Sequence, residues 1–353
     1  MDRYRKRQLK SASRVCRTMA AAAFTVLAML PAQGWAAEEV NLYSYRQPFL
    51  IEPFLKEFTE KTGIKVNVVF AQKGMLERLK REGKNSPADA VLTVDISRLK
   101  AHADAGLLQA VKSGVIEKNV PASYRDPNGL WVGLTLRSRL LAVSKERVKE
   151  GEISRYEDLA DPKWKGKVCV RQGGHVYNRA LVASLIAHHG EEKAEALVRN
   201  IVANFARKPQ GNDRAQAKAI YEGVCDVAII NNYYFGKMKF NDKKPEQKAW
   251  AESIRLVFPN QADRGSHVNV SGAAVTKHAK HADNAVKLIE FLSSPFVQNM
   301  YASTNFEYPV NPDVDWSQEV ISWGRFKADT LDLAKVAELS PAAQKLIDRA
   351  GWQ

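Results

Sequence analysis

Cysteine is nearly missing, with three residues in 353. None forms a Cys-X-X-Cys pair, which removes the usual thiolate metal sites. No apolar run is long enough to span a bilayer. The most apolar stretch, Met19 to Leu30, falls well short of the about 20 residues a spanning helix needs. HExxH, P-loop and GxSxG motifs are absent, as is GxGxxG in a strand–turn–helix setting, so the enzyme classes that carry them find no support. The formal net charge is +14, yet no basic run interleaved with aromatics accompanies it, and nucleic acid is not an expected partner. Repeats, linkers and low-complexity segments are lacking too.

What is present begins with a leader. Arg3, Arg5, Lys6, Arg7, Lys10, Arg14 and Arg17 precede the apolar stretch, and Ala32-Gln-Gly-Trp-Ala36-Ala37 follows with small residues. That layout predicts a cleavable signal peptide over residues 1–36 and export to the periplasm. Cys16 precedes the apolar stretch instead of closing it, which argues against a lipoprotein. With no twin arginine, the general export route is expected. The leader holds seven basic residues against Asp2 and supplies six of the fourteen charges, leaving about +8 on the remainder. Those charges are interspersed with acids, as in Glu77-Arg78-Leu79-Lys80-Arg81-Glu82, and read as a solvated surface.

After the leader two cysteines remain, Cys169 and Cys225, each in a short apolar run. In an oxidising compartment a disulfide between them persists if those runs are neighbouring strands; two buried free thiols are the alternative.

From Glu39 onward short β-branched runs alternate with amphipathic helical ones, the pattern of an α/β fold. Glu39 to Ser44, Ile64 to Phe70 and Ala90 to Val94 read as strands. Pro48 to Thr62 and Gly74 to Glu82 read as helices between them, the first with Phe49, Phe54, Leu55 and Phe58 on one side and Gly63 as its stop. This order favours a parallel sheet that gathers ligands at the carboxyl ends of its strands. A second unit follows Trp131–Leu136, with strands around Cys169 and Cys225 and helices near Asn178–His189 and Glu191–Asn204. Ser271–Val275 and the helix over Asn284–Leu292 look like a return to the first sheet. Two lobes joined by more than one crossing strand enclose a cleft and can hinge around a ligand.

Leu42-Tyr-Ser-Tyr-Arg-Gln-Pro48, Ser86-Pro-Ala-Asp89 with Thr93-Val-Asp95, Asp161-Pro-Lys-Trp-Lys-Gly166, Asn231-Asn-Tyr-Tyr234 and Glu307-Tyr-Pro309 together resemble the ferric-iron-binding periplasmic proteins, or bacterial transferrins. The likeness runs in order across nearly the whole chain beyond the leader. It implies a type II-like periplasmic binding protein fold. An N-lobe is expected from residues 37–135 and 261–311, and a C-lobe from 136–260 with C-terminal helices over 312–353. The implied role is capture of Fe(III) in the interlobe cleft by a monomer that catalyses nothing. The cargo would pass to the permease and ATPase of an ABC importer.

Within that resemblance Tyr233 and Tyr234 are the leading metal ligands. They follow the apolar run Val227–Ile230, where a strand ends at the cleft. Fe(III) is a hard cation that prefers anionic oxygen, and a bound cation drives the proton off a phenol whose ordinary pKa is about 10. Two adjacent tyrosines on a regular strand would point to opposite faces, so the resemblance implies an irregular turn there. Tyr177, in Arg171-Gln-Gly-Gly-His-Val-Tyr-Asn178, corresponds to a third phenolate, with His175 as a rival donor ranked second. Three phenolates leave an octahedral sphere unfilled. The resembled branch anchors a carbonate through positions matching Arg46 and Gln47, where an Arg fork can hold a planar anion. Other relatives place His-Tyr where this chain has Gln47-Pro48, which removes two potential ligands. Arg137, Arg139 and Asn232 are expected near the cleft, and Tyr43, Tyr45 and Asp95 either there or in packing. His188-His189 ends a helix, where His meets the helix dipole. The competing expectations are an organic ligand such as thiamine, a phosphonate or a polyamine between tyrosine walls, and a secreted hydrolase, for which no paired acids converge with the tyrosines.

Overall fold

The computed structural model describes residues 38–353; the expected leader lies outside them. Among the described residues nine strands are joined through one sheet: β1 (Glu39–Ser44), β2 (Lys65–Phe70), β3 (Ala90–Thr93), β4 (Val132–Ser144), β5 (Val168–Cys169), β6 (Val227–Asn231), β7 (Ile254–Val257), β8 (Val268–Val275) and β9 (Tyr308–Pro309). The order is β2-β1-β3-β8-β4-β6-β5, with β7 and β9 also against β4. β1 runs parallel to β2 and β3, and β5 parallel to β6, while β8 and β4 are antiparallel insertions.

β4 joins the two halves. Its first part, through Ser138, pairs with β8; from Arg139 onward it pairs with β6 and then β7. Arg137 and Arg139, expected near the cleft, lie on this strand and interrupt its apolar pattern. The strand continues to Ser144, buried throughout, because both arginines are paired inside the protein. This two-lobed α/β architecture with crossing strands matches the expected fold class.

Local chemistry explains the elements beside the cleft. The helix Pro48–Thr62 starts on Pro48, whose missing N–H costs nothing there. It buries Leu50, Ile51, Phe54, Leu55 and Phe58, and ends at Gly63, whose φ of 74° lets its N–H reach the Thr59 carbonyl. Phe49 differs from expectation: it is 51% exposed and lines the mouth of the central cavity. The helix Val176–His189 begins two residues earlier than its apolar pattern suggests. His175 caps it by accepting the Tyr177 N–H. No helix among the described residues is long and apolar enough to cross a membrane.

The sulfurs of Cys169 and Cys225 are bonded, with Cα atoms 5.9 Å apart. Cys169 ends β5, and Cys225 lies just before β6 and not within it. The bridge closes across a separation of 56 residues, so chain entropy gives it about 4 kcal/mol of stabilisation. Denaturant unfolding with and without reductant should differ by about that amount. Titration of two free thiols in the oxidised, denatured protein would contradict the bond.

Candidate metal centre

The carboxyl ends of β1, β3, β5 and β6 and the middle of β4 open onto one cavity of about 510 Å³. Tyr177, Tyr233 and Tyr234 all line it, as do Arg46, Gln47, Arg137 and His175. Sequence positions far apart therefore meet at one cavity. Asn232 lies outside the lining. It is fully buried, donates to the Phe306 carbonyl at 2.7 Å and accepts the Ser138 N–H at 3.0 Å. It holds the following helix against the crossing point of β4.

The tyrosine pair is presented differently from the expected irregular turn. Asn231 ends β6 and the chain passes directly into the helix Asn232–Lys239. Successive helical side chains are about 100° apart, so both rings can lean toward one side. They stack, with centroids 4.3 Å apart and planes 29° from parallel. The Tyr177 hydroxyl lies 3.2 Å from that of Tyr233. Burial, together with the neighbouring tyrosines, pushes the Tyr233 phenol well above its ordinary pKa; burial and Tyr177 raise that of Tyr234. Without a metal both phenols hold their protons at neutral pH.

His175 has one ring nitrogen engaged. Its Nδ1 accepts the Tyr177 N–H at 3.3 Å, and its ring meets the Tyr177 ring edge-on at 4.5 Å. Burial and then the Arg171 charge depress it to a pKa of about 3, so the imidazole is neutral under physiological conditions.

Cations surround the phenols. Arg137, Arg139 and Arg171 place their guanidinium carbons 5.9, 5.8 and 5.4 Å from the centre of the Tyr177 ring. Arg214 lies 5.0 Å from that of Tyr234. Lys73, Arg98, Arg214 and Lys237 also face the cavity, where Glu307 is the single carboxylate of the lining. Burial, against partial support from Glu307, lowers Lys237 to about 8.

Arg46 is only 2% exposed. Its two terminal nitrogens donate to Ser271 Oγ (2.8 Å) and to Glu307, while Thr135 donates to the other oxygen of Glu307. The fork expected to take an anion is thus already engaged, and Gln47 stands exposed beside it. Glu307, Arg98, Arg171, Arg214 and Lys237 were not singled out from the sequence. Glu307 and Arg171 fall inside quoted motifs, but only the fold brings them to the tyrosines. Tyr45 does line the cavity, with Arg98 4.3 Å over its ring. Tyr43 turns away to Glu82, and Asp95 caps a helix and accepts from Asn269.

Among the described residues no three His, Cys, Asp or Glu side chains cluster as a metal site. The anionic-oxygen donors that the lining can offer a hard cation are the tyrosine phenols and the Glu307 carboxylate. A two-lobed α/β protein with a polar cleft at strand ends is a ligand-capturing class of molecule. The profile of the bacterial extracellular solute-binding proteins matches residues 85–332, and the chain belongs to that family. It is 46% identical to Iron uptake protein A1 of Synechocystis, over 90% of this chain and 88% of that protein. Among solved structures, it is similar to the apo ferric ion-binding protein A of Pasteurella haemolytica (50% identity, TM-score 0.86, covering 90% and 98% of the two chains). A Trichodesmium protein in complex with iron and citrate is similar as well (42% identity, TM-score 0.84, covering 89% and 100%).

Proposed function

We propose that this protein captures Fe(III) in the periplasm and delivers it to the permease of an ABC importer, without catalysing a reaction. The observation that carries the reading is the meeting of Tyr177, Tyr233 and Tyr234 on one wall of a cation-lined cavity. Three phenolates balance the charge of Fe(III), and anionic oxygen suits so hard an ion. The names of the similar proteins support the same cargo. The residue ranges expected for the two lobes, and action as a monomer, remain part of this proposal.

An organic ligand between tyrosine walls has less behind it. Tyr233 and Tyr234 stack on each other and so leave no slot between their faces. Adding Fe(III) to chelator-stripped protein should develop a visible phenolate-to-iron charge-transfer band that saturates at one equivalent. A colourless titration would overturn the reading.

The remaining coordination positions are assigned to a small planar anion, carbonate, held by Arg46 and Gln47 from the side opposite the tyrosines. Since Glu307 engages Arg46 in the structure, the anion must share that guanidinium or displace the carboxylate. Arg46→Lys keeps a charge for Glu307 but loses the bidentate fork. In the wild type, removing bicarbonate should weaken iron retention and shift the colour, and restoring it should reverse both. The lysine variant should lose this response; a full response would remove Arg46 from the anion site.

A further inference from the structure

Asp213 lies at the start of the helix Asp213–Tyr221 and is fully buried. It does not line the cavity, yet the two segments that carry Tyr177 and Tyr233, together with the crossing strand β4, converge on its carboxylate. Oδ2 accepts from Arg139 at 2.6 Å and from the backbone N–H of Asn231 at 2.8 Å, two residues before Tyr233. Oδ1 accepts from Arg171 at 2.9 Å, six residues before Tyr177. Asn178, next to Tyr177, closes the ring of contacts. Its amide oxygen accepts from Arg139 at 2.7 Å, and its nitrogen donates to the Arg171 and Gln172 carbonyls at 3.0 and 3.1 Å.

We propose that Asp213 is the positioning residue of the tyrosine site, fixing the Tyr177 and Tyr233 segments relative to each other and holding Arg139 and Arg171 over the Tyr177 ring. This rests on the tyrosine reading above. The geometry gives Asp213 two separable effects. It sets the spacing of two phenol oxygens whose segments come from different strands, so its loss loosens the donor set. It also offsets two of the guanidinium charges around Tyr177, so its loss leaves those charges bearing fully on the phenolates. A cation near a phenolate lowers the energy of its electrons and moves charge transfer to iron toward shorter wavelength. Taking a cation away does the reverse.

Two variants of the full chain separate this role from a merely structural one. Asp213→Asn should lower iron retention against citrate by about 10- to 100-fold, the range for residues that orient metal ligands, and shift the band to shorter wavelength. Arg171→Gln, at the less deeply buried arm of the network, should weaken retention and shift the band to longer wavelength. In a crystal structure of iron-free Asp213→Asn the hydroxyl contact between Tyr177 and Tyr233 should be lost. Shifts in the same direction, or bands and competition unchanged from the wild type, would overturn the proposal. If Asp213→Asn does not fold, Arg171→Gln decides alone by the same two readings. A wild-type protein with no band at all would instead sink the tyrosine reading beneath it.

Discussion

Tyr233→Phe and Tyr234→Phe should each bleach the visible band of the iron-loaded protein and cut iron retention by more than about a hundredfold. That bound follows because even residues that only orient metal ligands cost about 10- to 100-fold when removed. The ring remains in each variant, so the stacking at 4.3 Å and the packing on the helix Asn232–Lys239 survive. For Tyr233 only the hydroxyl and its contact with Tyr177 are lost, so folding stability should change by no more than about 1.5 kcal/mol. Tyr177→Phe should weaken binding in the same sense; a neutral result there would move suspicion to His175. Tyr308→Phe is the matched control. Its hydroxyl is buried without a partner among the described residues, and removing it should leave iron binding untouched. Competition against a chelator, followed in the visible, reads all four variants.

Acid should release the metal steeply. In the iron-free protein burial and the neighbouring phenols raise Tyr233 and Tyr234 above the ordinary value, so at neutral pH both are protonated. Binding Fe(III) requires the phenolates and therefore expels protons. The sign follows: lowering the pH returns protons to the oxygens and weakens binding, by about tenfold per pH unit for each proton expelled. With three phenols the slope approaches about a thousandfold per unit before the chelator's own protonation is subtracted. His175 titrates only near pH 3, so it adds nothing to the slope between pH 5 and 7. Competition titrations at several pH values give the slope directly. A pH-independent affinity would mean that the phenols stay protonated in the complex and are not the ligands.

Much of this arrangement was legible in the sequence, for identifiable reasons. Pro48 and Gly63 mark one helix from both ends, and the β-branched runs around Val66 and Val91 mark two strands, because local chemistry dictates those elements. The apolar run Val227–Ile230 marked the strand end before Tyr233 and Tyr234, and the family resemblance marked the pair as candidate ligands. What hid the rest was pairing at a distance. Arg137 and Arg139 break the apolar pattern of β4, and acceptors on Ser271, Val94, Asp213, Asn178 and Asn231 make their burial tolerable. Asp213 itself reads as an ordinary residue at a helix start beside the capping Asn212. Its partners lie 74, 42 and 18 positions away in the chain. The helical presentation of the tyrosines was missed because Asn232-Tyr-Tyr-Phe has little helix preference of its own. Contacts of Asn232 with Ser138 and Phe306 impose it.

The most direct test of the central claim is anomalous diffraction at the iron edge from crystals of the iron-loaded protein. The account predicts a single strong peak per chain, within coordination distance of the phenol oxygens of Tyr177, Tyr233 and Tyr234. A peak elsewhere in the cavity, or one bonded to His175 or Glu307 without the three tyrosines, would contradict it.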